Sequence, residues 1–288
     1  QAYTGALLAA KQVEALDTAL ATVRAHGKQA EAMHEQGLVT GLDARMAGLK
    51  ASEIEVHRLM AQAQADNALS GLRTILDLPE TVRLVLTDNA ADLEGAAGCA
   101  SSGAECTWED RGDLQAYTAG VAAAGHGVKM AWASQLPSLA AFGSLGHYAQ
   151  DAPFQDGSGD WTIGIGLSWN PFQGMSGVGK VRAAKAEERA VQAKRDAAFN
   201  QAELEVLQAR RMLEASQDRA QVAAEASREA GIALEQARLR YRTGTSPITE
   251  LLDVQAAATN TTLSELAARR DLLLAHAALD LAYGVFDR

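Results

Sequence analysis

The sequence predicts a mainly α-helical fold with long antiparallel coiled-coil helical hairpins and, between them along the chain, a single β-hairpin. Alanine-rich stretches with few breakers predict five helices, at residues 1–35, 42–76, 113–134, 178–241 and 248–283. Two short segments with strand character lie between the third and fourth of these helices. The chain is 48% hydrophobic but only 5% aromatic, so alanine supplies much of the apolar content. This composition favours closely packed helices over a broad aromatic core.

The first two helices predict one hairpin that reverses at a glycine-rich turn, residues 37–41. Pro79 ends the second helix of this hairpin. Apolar residues recur every seven positions along the second helix, and two further residues widen this stripe. These residues are Leu42, Leu49, Val56 and Ala63, with Leu59 and Met60. A seven-residue repeat predicts left-handed coiled-coil packing along this stripe.

Residues 80–112 differ in composition from the helices on either side. Residues 82–86 predict a short strand, and residues 88–112 are rich in glycine, alanine and acids, as is typical of a loop. Cys99 and Cys106 lie close together here, so either a small disulfide-closed loop in an oxidising compartment or two free thiols fits. One cysteine pair is too few for a structural zinc site, which needs four ligands.

The two strand candidates, residues 138–148 and 161–169, predict a hairpin around the polar segment 150–160. The first strand alternates poorly. The second alternates cleanly, with large apolar residues at odd positions from Trp161 to Trp169 and small or weakly polar residues between them. Nine tilted residues rise roughly 20–25 Å, close to the apolar band of a membrane β-barrel. A strand with one face in a soluble core is the other interpretation.

Residues 178–241 contain no proline, and a continuous helix of this length would extend roughly 95 Å. A helix that long does not fit inside a compact globule and indicates a coiled-coil rod or tube. A turn at 244–247 then leads into the last helix, residues 248–283.

Composition and motifs argue against several classes of function. The formal net charge is −10 and the pI is about 5.1, and no basic stripe for binding nucleic acid is visible. The sequence contains no HExxH, P-loop or GxSxG motif, and its six histidines are scattered. We therefore expect neither an enzyme nor a site for a cofactor or a metal ion. No run of about 20 apolar residues exists, so no transmembrane helix is predicted.

Several motifs resemble one known family, the outer membrane factors or TolC-like efflux proteins. Residues 237–244, ARLRYRTG, and 248–256, ITELLDVQA, resemble the tip of a helical hairpin in that family. LPSL at 136–139 resembles the entry to its barrel hairpin, and GLSWNPF at 166–172 resembles the exit. The matches follow the family's order and cover most of residues 1–285.

The resemblance implies a homotrimeric duct in the outer membrane of a Gram-negative bacterium, with a large periplasmic part. Strands from each protomer would form an outer membrane β-barrel in contact with lipid, and the helices a periplasmic α-barrel. The implied partners are a periplasmic adaptor protein and an inner-membrane pump of the RND or ABC type. Because this sequence shows only the second strand pair and begins within a helix, we expect that a preceding segment is missing from it.

On this basis the chain divides into five segments. These are a first helical hairpin (1–78), an equatorial loop segment (79–112), a helix leading to the barrel (113–136), the outer membrane β-hairpin (137–172) and a second long helical hairpin (173–288).

The resemblance also implies roles for acidic residues just past each hairpin tip. In the family such residues ring the pore, and by position they correspond to Asp43, Glu250 and Asp253. In a trimer each becomes a ring of three carboxylates, which repels anions and attracts cations. Alternatively, acids in the first turn of a helix only complement the helix dipole.

Other family positions concern the closed state and docking. Tyr241 occupies the position of a tyrosine that links neighbouring hairpins, with Asp43 at the position of its usual acceptor, although simple packing is an alternative. Ser246 replaces a basic residue sometimes found there, so fewer links would hold the tip shut. The tips themselves, Gly37–Leu38 and Gly244–Thr245, would dock the adaptor. Glycine suits both reversals because it adopts positive φ cheaply.

Trp161 and Trp169 would anchor the strand at the two membrane interfaces, unless packing against a neighbouring domain buries them. The function predicted is thus a channel of a tripartite efflux or type I secretion system. The competing hypothesis is a soluble coiled-coil scaffold without a pore, which has no use for a lipid-facing strand.

Overall fold

The computed structural model describes residues 2–79, 81–87, 107–148, 158–172 and 174–285, and it confirms a mainly helical fold with one β-hairpin. The helices are α1 (Ala2–Glu35), α2 (Gly41–Ile75), α3 (Gly112–Ala133), α4 (Ser176–Arg242) and α5 (Ile248–Tyr283). The strands are β1 (Ser138–Tyr148) and β2 (Ser158–Ser168), and a single 3-10 turn covers Trp108–Asp110.

The chain forms two compact units. The first, called the helical unit, contains α1, α2, α5 and the part of α4 that begins at Glu205. The second, called the strand unit, contains α3, both strands and the part of α4 up to Leu204.

The core of the helical unit is shared by four helices and built largely from small and aliphatic side chains. Its fully buried large residues include Val23 on α1, Tyr241 on α4 and Leu251 on α5, each at most 1% exposed. Alanines such as Ala30 and Ala237 separate these larger side chains. Small residues let the helix backbones approach closely, which the alanine-rich composition predicts.

The stripe predicted to mediate coiled-coil packing along α2 faces outward from the helical unit. Leu42, Leu49 and Val56 are 63%, 67% and 51% exposed. A different seven-residue repeat of α2 is buried in the core instead, and it consists of Ala47, Ile54 and Ala61. The small side chains fit the narrow space between helices of one chain, so none of the described residues covers the larger leucine stripe.

The reversals after α1 and α4 have the same backbone geometry. At the first, Gly37 has φ 73° and its N–H bonds the carbonyl of His34, while Leu38 N–H bonds that of Met33. At the second, Gly244 has φ 71° and its N–H donates to the carbonyl of Tyr241, while Thr245 N–H donates to the carbonyl of Arg240. These paired bonds are the Schellman motif, which satisfies the last helical carbonyls and needs a left-handed residue.

In the strand unit β1 and β2 pair antiparallel, with Ser138 opposite Ser168 and Leu145 opposite Trp161. This register places the leucines of β1 on the same face as the tryptophan, isoleucine and leucine side chains of β2. Phe142 lies on the other face, opposite Gly164, and its ring covers that glycine. The poor alternation of β1 is therefore explained by small residues on its apolar face and a phenylalanine on its polar one.

Side chains of the first part of α4 reach α3 and the 3-10 turn within the strand unit. The space above Gly120 is closed by Val191, and that above Gly125 by Glu188. Farther along the same part of α4, Phe199 meets the ring of Trp108 edge-on, with ring centroids 6.1 Å apart.

Residues 82–86 do not form the predicted short strand. Within the described ranges β1 and β2 are the strands, and each hydrogen-bonds the other along one edge. Residues 82–86 have no such neighbour, and β-propensity alone does not supply one. Cys99 and Cys106 lie outside the described residues, and so does most of the loop predicted at 88–112.

None of the helices in the described part of the chain combines the length and the apolar composition that a membrane crossing requires.

Candidate functional site

The two reversals of the helical unit present exposed tips. The first tip is residues 37–40 and the second is residues 243–247. Leu38 is 65% exposed although it is a large apolar residue, and Gly244 and Thr245 are also exposed. Positive φ at both glycines means that any other L-residue would be strained there, even though no heavy atom lies within 4 Å of an added Cβ.

Tyr241 and Asp43, which lie 198 residues apart in sequence, meet beside the tips. The Tyr241 hydroxyl donates a hydrogen bond to Asp43 Oδ2 at 3.4 Å, and Thr40 Oγ1 donates to Asp43 Oδ1 at 3.3 Å. Burial, reinforced by the Asp43 carboxylate, raises the pKa of Tyr241 to about 12. The hydroxyl is therefore a neutral donor at physiological pH and links α4 to the first turn of α2.

Glu250 is paired with a residue that the sequence analysis did not single out. Arg240 Nη1 lies 2.6 Å from Glu250 Oε1, and the two side chains are 55% and 36% exposed. The pair joins the last turn of α4 to the first turn of α5. The sequence signal for this ion pair is a basic residue four positions before the tip glycine together with an acid six positions after it.

Asp253, one turn after Glu250, is exposed and forms no ion pair with any described residue. Ser246, at the position where the family sometimes has a basic residue, is buried, and its hydroxyl has no partner within the described ranges. The predicted acids are therefore in three different environments. Asp43 accepts hydrogen bonds, Glu250 is ion-paired and Asp253 faces solvent.

His26 is a buried polar residue of α1 in the same unit, only 7% exposed. Burial lowers its pKa, the nearby Arg238 guanidinium lowers it further, and Glu235 partly opposes the shift. The imidazole is therefore held neutral near pH 7. Over the described ranges, no group of three His, Cys, Asp or Glu residues could hold a metal ion.

The face of β2 predicted to meet lipid is exposed along its whole length. Trp161, Ile163, Ile165 and Leu167 are 71–77% exposed, and Trp169, just past the end of the strand, is 60% exposed. Leu139 and Leu145 of β1 extend this face at 72% and 92% exposure. Trp169 also donates its indole N–H to the carbonyl of Gln135 at 3.4 Å, which ties it to the end of α3.

The sequence profile of the family described as outer membrane efflux protein matches residues 107–285 of this chain. That range covers the strand unit, the whole of α4 and α5. No curated protein matches the sequence.

Solved structures of outer membrane channels share the fold. The outer-membrane channel OprN superposes with a TM-score of 0.82 at 24% identity, over 98% of this chain and 64% of that one. The open state of MtrE from Neisseria gonorrhoeae gives 0.80 at 21% identity, over 98% and 64%. VceC from Vibrio cholerae gives 0.76 at 19% identity, over 98% and 68%. This chain therefore spans about two thirds of the length of each.

Proposed function

Because the chain belongs to the outer membrane efflux protein family, we propose that it forms part of an outer membrane channel that exports substrates from the periplasm to the exterior. The family is one of outer membrane channels and not of enzymes, in agreement with the lack of catalytic motifs in the sequence. The duct serves a tripartite efflux or type I secretion system, with a periplasmic adaptor and an inner-membrane pump of the RND or ABC type as its partners.

The exposed apolar face of the β-hairpin is the observation that carries this proposal. A two-stranded hairpin is marginally stable in water, and five large apolar side chains of 161–169 remain exposed among the residues that the structure describes. In a barrel wall the same face contacts lipid, the strand edges pair with further strands and the tryptophans lie at the interfaces. A coiled-coil scaffold leaves this face without a role.

The homotrimer is supported by the outward stripe of α2. Leu42, Leu49 and Val56 repeat every seven residues, as in a coiled coil, yet none of the helices in the described ranges covers them. Packing against a helix of a neighbouring copy would bury them and close the helices into a periplasmic tube. The exposed tips, with Leu38 and Thr245 at their ends, are then the periplasmic extremity that docks the adaptor.

The proposal is tested with the complete protein, purified in detergent and reconstituted in planar lipid bilayers. We expect a trimer by light scattering and stepwise ionic conductance from an open aqueous pore. A monomer that stays soluble without detergent and gives no conductance would show that the channel proposal is wrong.

A further inference from the structure

The three carboxylates near the tips differ in how far another group neutralises them. Glu250 lies 2.6 Å from the Arg240 guanidinium, whereas Asp253 is exposed and forms no ion pair with any described residue. Asp43 accepts hydrogen bonds from two neutral hydroxyls, which leave its charge in place. We therefore expect these acids to contribute unequally to the electrostatic potential at the tips.

Hydrogen bonds within the second tip hold the backbone of Arg240. Its carbonyl accepts three hydrogen bonds, from Thr245 N–H at 2.9 Å, Thr245 Oγ1 at 3.0 Å and Thr243 Oγ1 at 3.1 Å. Glu250 follows in the first turn of α5, so the turn delivers both side chains to one place. The pair is built into the reversal, unlike a chance contact between two flexible surface chains.

A paired charge acts on passing ions much less than a single one. Opposite charges a few ångström apart form a dipole whose field falls steeply with distance. A lone charge still acts on ions within about 8 Å, the distance beyond which salt screens it at physiological ionic strength. Asp253 therefore projects its charge into the solvent next to it, and the Arg240–Glu250 pair contributes little net potential.

We propose that Arg240 is a specificity-determining residue of the channel, because it neutralises Glu250 and leaves Asp253 as the main source of cation preference at the second tip. This inference rests on the proposed channel function. It distinguishes two acids that sequence alone treats as equivalent.

The test measures the permeability ratio of K⁺ over Cl⁻, from reversal potentials in a KCl gradient, with the complete protein in planar bilayers. We expect R240Q to raise this ratio and E250Q to lower it, each by about twofold or more, since each uncovers three like charges in a trimer. R240K keeps the charge and should retain the wild-type ratio. D253N should lower the ratio.

Two double variants of equal net charge provide the matched comparison. R240E/E250R re-forms the pair in reverse and should restore the wild-type ratio. R242E/E250R has the same net charge but puts two guanidinium groups side by side at positions 240 and 250. Its K⁺ over Cl⁻ permeability ratio should therefore be lower than that of the wild type. An unchanged ratio in R240Q, or equal ratios in the two double variants, would overturn the inference. Absence of any pore in the unmodified protein would instead count against the proposed channel.

Discussion

Tyr241 shows how one residue combines packing with a polar link. Its side chain is 1% exposed in the core of the helical unit, yet its hydroxyl reaches Asp43 on the first turn of α2. Burial and the nearby carboxylate both disfavour ionisation and raise the pKa of the hydroxyl to about 12. The hydroxyl therefore contributes to stability only while it is neutral.

At the residue scale, we predict that Tyr241→Phe lowers the free energy of unfolding by about 0.5–1.5 kcal/mol, because the ring still packs but the hydrogen bond is lost. The folded-state pKa lies above the ordinary value of about 10, so the hydroxyl's contribution is present below pH 10 and is lost as the pH rises towards 12. Thermal unfolding followed by circular dichroism between pH 8 and pH 11.5 measures both effects.

Tyr117→Phe is the control for this prediction, since Tyr117 is 44% exposed. It should change neither the stability nor its alkaline dependence. If the Tyr241 variant loses stability between pH 10 and pH 11.5 as steeply as the wild type, another group causes that loss and the assignment to Tyr241 is wrong.

At the element scale, the β-hairpin depends on a cross-strand pair of one large and one minimal residue. Phe142 and Gly164 are direct partners, and a Cβ built on Gly164 would lie 2.6 Å from Phe142 Cζ. The aromatic ring covers a glycine that would otherwise leave backbone exposed, and this pairing helps to hold the register.

We therefore predict that Gly164→Ala destabilises the hairpin, because the added methyl group displaces the Phe142 ring. Gly166→Ala, on the same face of β2, should be tolerated, since its Cβ would be 4.0 Å from the ring. The measurement is the yield of folded protein extracted from membranes in mild detergent. Phe142→Leu combined with Gly164→Ala should recover part of the yield. Equal yields from the two alanine variants would contradict the role of this pair.

At the scale of the whole molecule, the outward stripe of α2 is not needed for the folding of one chain but is available for the assembly of several. The helical unit buries the repeat formed by Ala47, Ile54 and Ala61, and it leaves Leu49 and Val56 67% and 51% exposed. Covering a leucine or a valine fully contributes about 1.5–3 kcal/mol per side chain. Repeated in each copy, this burial is large enough to drive association.

We predict that Leu49→Lys together with Val56→Lys dissociates the proposed trimer while the helical content of each chain is retained. Gln62→Lys serves as the control, because Gln62 is exposed on a different face of the same helix. Light scattering in detergent gives the oligomeric state, and circular dichroism gives the helical content. A double-lysine variant that remains trimeric would place the interface elsewhere.

Much of the architecture was determined by the sequence alone because its signals are local. The glycines at 37 and 244 marked both reversals, the absence of proline predicted α4, and the clean alternation after Trp161 predicted β2 within three residues at its start and one at its end. The family motifs correctly identified the family to which the chain belongs. Each of these signals needs only a few neighbouring residues to act.

Only the tertiary structure decided which groups meet. The sequence contained two seven-residue repeats on α2, and packing space selected the alanine repeat for the inside. It contained residues 82–86 with strand character, but no other described segment pairs with them. It contained Arg240 and Glu250 as separate charges, and the turn between α4 and α5 made them a pair. Partner choice depends on distances between segments far apart in the chain, and propensity and periodicity do not encode those distances.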